Sequence, residues 1–262
     1  MDFRFKAGTA PMLLSMPHVG IDIPDDVAAA LAPCARVLAD TDWHLAQLYD
    51  FADALGISVL SARWSRYVVD LNRPPEDTNL YPGMDTTGLC PVDTFGRENL
   101  YLPGREPDQE QVQRRLQRYW RPYHDQLRAE LDRLLALHGR VLLWDAHSIA
   151  SRVPRFFEGR LPDLNFGTAE GRSCDPALQA AVVDTANADG RFTVAVNGRF
   201  KGGYITRHYG QPHNKVNAIQ LEMCQCLYMD ESPPFAYRPE LAAKVQPLLA
   251  QMSRAALEWV RA

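Results

Sequence analysis

The sequence predicts an α/β fold, a mainly parallel or mixed central sheet flanked by helices. Three observations point to it. Short apolar runs of strand length recur, as at 12–16 and 141–144. Between them lie longer stretches whose apolar residues return every three or four positions. The two kinds alternate along the chain, as in folds built on parallel strands. At 262 residues and 46% hydrophobic, the chain can bury a large core. No repeat or low-complexity linker divides it, so one domain over 1–262 is expected, with a loop excursion at about 73–107.

The elements follow in order. Residues 12–16 form an apolar strand that stops at Pro17. Asp40 or Thr41 can cap a helix whose apolar positions are Leu45, Leu48, Ala52 and Leu55, with Gly56 ending it. Residues 57–62 and 67–71 read as strands. The segment 73–105 is rich in Pro and Gly, yet its aromatic and apolar content suggests a packed, functional loop. Asp108 and Gln111 have capping-box spacing ahead of a helix with Leu116, Trp120, Tyr123, Leu127, Leu131 and Leu134 on one face, closed by Gly139. The wholly apolar run 141–144 suits a central strand covered on both sides. Asp175-Pro176 opens a helix that ends near Gly190, and 192–196 is strand-like. Over 216–223 the pattern alternates, with Val216, Ala218, Gln220 and Glu222 on one face. An amphipathic helix closes the chain at about 239–260.

Composition excludes several partners. With a formal charge of −4, the protein has no general field for nucleic acid or an anionic membrane. An anion would have to be met by a few placed arginines, so a small-molecule partner is expected. No run approaches the roughly 20 apolar residues of a membrane span, and the expected location is cytoplasmic. The five cysteines, odd in number and mostly scattered, argue for reduced thiols.

Sites in such sheets form at the carboxyl ends of strands, and polar residues gather there. The first strand runs into Pro17-His18-Val19-Gly20, which sets a histidine on a rigid turn. The 141–144 strand runs into Asp145-Ala146-His147, a spacing that suits a metal-ligating histidine oriented by a carboxylate. Hydrolytic zinc sites take three protein ligands, often two histidines and a carboxylate, and Asp40 and Asp42 are both available. The run Arg66 to Arg73 ends in Asp70-Leu71-Asn72-Arg73, a fork of donors able to grip a carboxylate, with Asp70 holding an arginine in place. Glu222 sits inside an apolar strand, where a carboxylate needs a cation, a donor or a polarised water. Such a Glu is either an ion-pair partner or the base of a metal-assisted hydrolysis.

In this order the segments MPHVGIDIP, DTDWHLAQLYDFADALG, SRYVVDLNRPPEDTNLYPG, DAHSI, LPDLNFGT, NGRFKGGYITRHYG and IQLEM resemble the N-formylglutamate amidohydrolase (deformylase) family over nearly the whole chain. That family is similar to zinc carboxypeptidases and aspartoacylases. The resemblance implies a carboxypeptidase-like (phosphorylase/hydrolase-like) α/β fold and one divalent metal ion, zinc by donor type. It implies His18, Asp42 and His147 as the metal ligands, and Glu222 as base and then acid. Asn72 and Arg73 would grip the α-carboxylate, with Arg66 nearby. It implies hydrolysis of N-formyl-L-glutamate to formate and L-glutamate, closing a histidine degradation route. The loop 201–210 is expected at the active site: Lys201 or Arg207 to meet the second carboxylate, Tyr204 to bind substrate, and His213 or Tyr209 to steady the oxyanion. Another N-acyl acidic amino acid as substrate, and a non-catalytic metal-stabilised binder of acidic metabolites, are the competing readings.

Overall fold

The computed structural model describes residues 2–262. Within them seven strands form one mixed sheet: β1 (Phe3–Lys6), β2 (Met12–Met16), β3 (Ser58–Ala62), β4 (Val141–Ile149), β5 (Leu164–Gly167), β6 (Val194–Val196) and β7 (Val216–Cys224). Their spatial order is β1-β3-β2-β4-β7-β5-β6. The central strands β3, β2, β4 and β7 run parallel, while β1 and β5 pair antiparallel to β3 and β7.

The helices are α1 (Asp25–Ala28), α2 (Leu45–Leu48), α3 (Gln109–Arg115), α4 (Arg121–His138), α5 (Pro176–Asp189), α6 (Tyr204–Tyr209) and α7 (Pro239–Arg261). A π-helical turn, Leu116–Trp120, joins α3 to α4. The Asp108 capping box forms as its spacing predicts, with Gln111 N–H donating to the Asp108 carboxylate at 2.8 Å and Asp108 N–H to the Gln111 side chain at 2.9 Å.

Strand alternation sorts side chains onto two faces. Leu142, Trp144, Ile219, Leu221 and Met223 pack with α2, α5 and α7. Val141, Leu143, Val216 and Ala218 pack with α4 and the loop around Val68. On this second face the apolar residues give way, toward the carboxyl ends, to Asp145 and His147 on β4 and to Gln220 and Glu222 on β7, all buried. The core is therefore open to chemistry at one end of one face. No helix is long and apolar enough to cross a membrane among the described residues.

The structure corrects several sequence expectations. The helix expected after Thr41 shrinks to α2 and a short 3-10 turn, because His44 takes a left-handed backbone (φ 61°) ahead of it. The apolar spacing still holds, since Leu45, Leu48 and Ala52 are buried. Residues 67–71 are not a strand but a buried loop, tied by Arg115 donating to the Val68 carbonyl at 3.1 Å. β1 and β5, too short to show a period, went unread. His124 on α4 is buried as well.

Candidate active site

Three buried donors converge at the end of β2 and β4. His18 Nδ1 lies 3.2 Å from His147 Nδ1, and Asp42 Oδ2 lies 3.2 Å from His147 Nδ1 and 3.7 Å from His18 Nδ1. The loss of helix after Thr41 makes this possible. Asp42 stays in an open turn whose N–H donates to the His18 carbonyl at 3.0 Å, setting the carboxylate beside the imidazole. Asp40 faces elsewhere, its carboxylate accepting from Phe95 N–H at 2.9 Å. The group gathered is His18, Asp42 and His147.

The far nitrogen of each ring is held. His18 Nε2 meets Asp70 at 2.7 Å, and His147 Nε2 meets Asp145 at 3.1 Å. A carboxylate there accepts a hydrogen bond from Nε2–H and leaves Nδ1 as the nitrogen able to take a metal ion. Burial, helped by the charge of Arg66, lowers the His18 pKa, which keeps that ring neutral. Burial also disfavours the His147 imidazolium, but Asp145 and Asp42 outweigh it and raise the pKa well above the usual value. Burial resists ionisation of Asp70, yet His18 and Arg66 hold its carboxyl well below the ordinary range. Two imidazoles and a carboxylate turned to one point fit a divalent cation of the zinc type, which on binding would displace the Nδ1 proton of His147.

Glu222 lies directly across from His147 in the β4/β7 pairing. Burial pushes its carboxyl up to about 8, with His147 pulling against this and Asp42 adding to it. The cleft around these groups encloses about 610 Å³, counting its open mouth, and its walls include Arg66, Arg73, Tyr81, Phe156 and Arg199.

The Asn-Arg pair divides. Asn72 is committed to protein: its Oδ1 accepts from Ile205 N–H at 2.8 Å, and its Nδ2 lies 3.0 Å from His147 Nε2 and 3.4 Å from Asp145. Arg73 lines the cleft, with Nε donating to the Thr87 carbonyl at 2.8 Å. Arg66 is buried, donates to Asp70 at 2.7 Å and stacks over Phe95.

The segment 201–210, expected as a loop, is mostly the helix α6 and supplies less than its sequence suggests. Lys201 points outward to Glu170 at 2.7 Å. Arg207 donates to the Gly202 carbonyl at 2.7 Å and lies behind Tyr81. Tyr204 stacks on His208. None of the three lines the cleft. His213 is exposed in the turn Pro212–Asn214, at the amino end of β7 and so at the opposite end of the strand from Glu222. The paired glycines serve close packing against protein: a Cβ on Gly203 would come within 2.4 Å of the Asn72 amide nitrogen. The cleft arginine that sequence reasoning missed is Arg199, inside the segment NGRFKGG but without a distinguishing neighbour.

A mixed α/β sheet that gathers two histidines, a carboxylate and a buried glutamate beside its strand ends offers a group that could hold a metal ion. Family comparison is more specific. The N-formylglutamate amidohydrolase family profile matches residues 10–229, and the chain belongs to that family. The N-formylglutamate deformylase of Pseudomonas aeruginosa is 51% identical over 257 residues, covering 98% of this chain and 96% of that protein. The Pseudomonas putida protein of the same name is 50% identical, covering 97% and 95%. The crystal structure of an N-formylglutamate amidohydrolase from Ralstonia eutropha superposes with a TM-score of 0.84 at 26% identity, covering 99% of this chain and 98% of that one. An Agrobacterium tumefaciens gene product, 20% identical with a TM-score of 0.74, shares the fold.

Proposed function

We propose that this protein is a single-domain, metal-dependent amidohydrolase that converts N-formyl-L-glutamate to formate and L-glutamate, closing a histidine degradation route. The observation that carries the reading is the convergence of His18 Nδ1, Asp42 Oδ2 and His147 Nδ1 with Glu222 on the adjacent strand. The two deformylases half-identical over nearly the full chain supply the substrate.

His18, Asp42 and His147 would hold the ion, zinc by donor type. A divalent cation there would polarise the formyl carbonyl and draw the Glu222 carboxyl toward its ionised form. Glu222 takes a proton from the attacking water and returns it to the departing amine. Arg66, fixed by Asp70, presents a guanidinium to the charge that develops on the formyl oxygen. Arg73 takes the α-carboxylate of the substrate. Asn72 acts as a brace, tying the 203–205 backbone to Asp145, the partner of His147, and orienting the wall that Arg73 occupies.

The test is direct. Purified protein, with and without chelator, is offered N-formyl-, N-acetyl- and N-carbamoyl-glutamate and N-formyl-aspartate, and free amine is measured. Chelator-sensitive release from N-formylglutamate above the others is expected. No release from any of them would overturn the reading.

A further inference from the structure

Three arginines line the cleft, and their charges are balanced differently. Arg66 is neutralised by Asp70 at 2.7 Å. Arg73 donates to the carbonyl and hydroxyl of Thr87, both uncharged. Arg199 donates Nε to the Phe156 carbonyl at 2.7 Å and Nη2 to the Asp85 carbonyl at 3.3 Å. The Asp85 carboxylate is itself engaged by Arg97 and Arg155. Among the described residues, neither Arg73 nor Arg199 is ion-paired to a carboxylate.

Arg199 is also held still. Its guanidinium carbon lies 5.5 Å from the Tyr81 ring centre, 5.3 Å from Phe156 and 5.5 Å from Phe200. Burial makes its charge costly, and the nearby Arg73 adds to that cost. A guanidinium fixed in an aromatic cage, with donors to spare and no carboxylate within ion-pair distance among the described residues, is organised to receive one from a ligand.

We infer that Arg199 is the specificity-determining residue of the cleft, receiving the side-chain carboxylate of a dicarboxylic N-formyl amino acid. This rests on the functional reading above and adds which residue reads the substrate's far end. Arg73 follows Asn72, whose amide packs on His147, so it serves the carboxylate beside the scissile amide. Arg199, anchored to the Phe156 and Asp85 carbonyls and near Arg73, serves the carboxylate two methylenes further out. Two arginines without protein carboxylates thus meet a substrate with two. Lys201 and Arg207, the alternatives in the same loop, are turned to Glu170 and to Gly202.

The experiment measures formate release by the metal-loaded protein from N-formyl-L-glutamate and from N-formyl-L-glutamine, its isostere with a neutral side chain. Wild type, Arg199→Gln, Arg199→Lys and Lys201→Met are compared. Wild type prefers the glutamate substrate. Arg199→Gln loses roughly 10- to 100-fold in kcat/KM on it, mainly through KM, while the glutamine substrate changes far less, so the preference collapses. Arg199→Lys keeps the charge, guards against misfolding of the neutral variant, and retains part of the preference. A merely structural arginine would lower both substrates together, and an unchanged ratio in Arg199→Gln overturns the inference. So does a collapse produced by Lys201→Met instead. Wild type inactive on N-formylglutamate overturns the functional reading and this inference with it; an active wild type whose preference survives the substitution overturns this inference alone.

Discussion

Two buried histidines, His147 on β4 and His124 on α4, show how environment decides what an imidazole does. Both are almost wholly buried. His147 is set between Asp42 and Asp145, which raise its pKa. His124 has neutral partners: its Nε2–H donates to the Leu71 carbonyl at 2.9 Å, so Nδ1 accepts from the Tyr209 hydroxyl at 2.9 Å. It stacks on Trp120 at 3.7 Å, and burial lowers its pKa to about 3. Burial acts on both rings alike. Carboxylates beside one ring, and the positive charge of Arg128 near the other, separate a site for positive charge from a neutral hydrogen-bonded strut.

The sharpest way to break this contrast is to remove each ring. His147→Ala is expected to lose bound metal and nearly all turnover, at least about 1,000-fold, read by metal analysis and formate release. His124→Ala should keep its metal and instead lose about 2–4 kcal/mol of unfolding free energy in denaturant titration. Metal retained in the first, or lost in the second, would show that the two rings have been assigned the wrong way round.

Next in size is Glu222→Gln, which leaves all three ligating atoms in place. Turnover should fall roughly 100- to 10,000-fold with metal content unchanged. Near-normal turnover would mean that another group moves the proton.

Asp145→Asn tests the carboxylate that distinguishes the two rings. About 10- to 100-fold weaker metal binding is expected by competition with a chelator. An unchanged affinity would remove Asp145 from the argument.

The remaining contrast is the pH dependence of His124. Its pKa is about 3 folded and 6.5 unfolded, so the unfolded state binds the proton first. Its contribution is complete above pH 6.5 and declines as pH falls toward 3, by up to about 1.4 kcal/mol per pH unit. The stability difference between wild type and His124→Gln should therefore shrink on acidification. A difference flat with pH would contradict the neutral strut.

The same contrast explains what the sequence disclosed. His18, His147 and Glu222 could be read because an apolar strand turning polar at its carboxyl end is a local signal, and the parallel sheet brings such ends together. Asp42 could not be separated from Asp40 by pattern, because the choice depends on a backbone bond to His18 and on the left-handed His44 that breaks the helix. The run at 67–71 has the residue types of a strand, but Arg115 and Tyr101 arrive from far along the chain to satisfy its backbone as a loop. His213 lies close in sequence to the loop at 201–210, which says nothing about which end of β7 it occupies. Arg199 was hidden for the opposite reason: its cage comes from residues 81, 156 and 200, only one of them adjacent.

The pairing of His147 with Glu222 makes β7 a ruler graduated in single residues. Excising one residue ahead of Glu222 would turn its carboxylate into the apolar layer beneath α7 and bring Met223 into the cleft. Excising two would restore the face but draw the carboxylate back by roughly 7 Å, alongside Asp145. Length changes in this family should therefore collect in the 73–107 excursion and spare β7, whose residue count fixes the distance between Glu222 and His147.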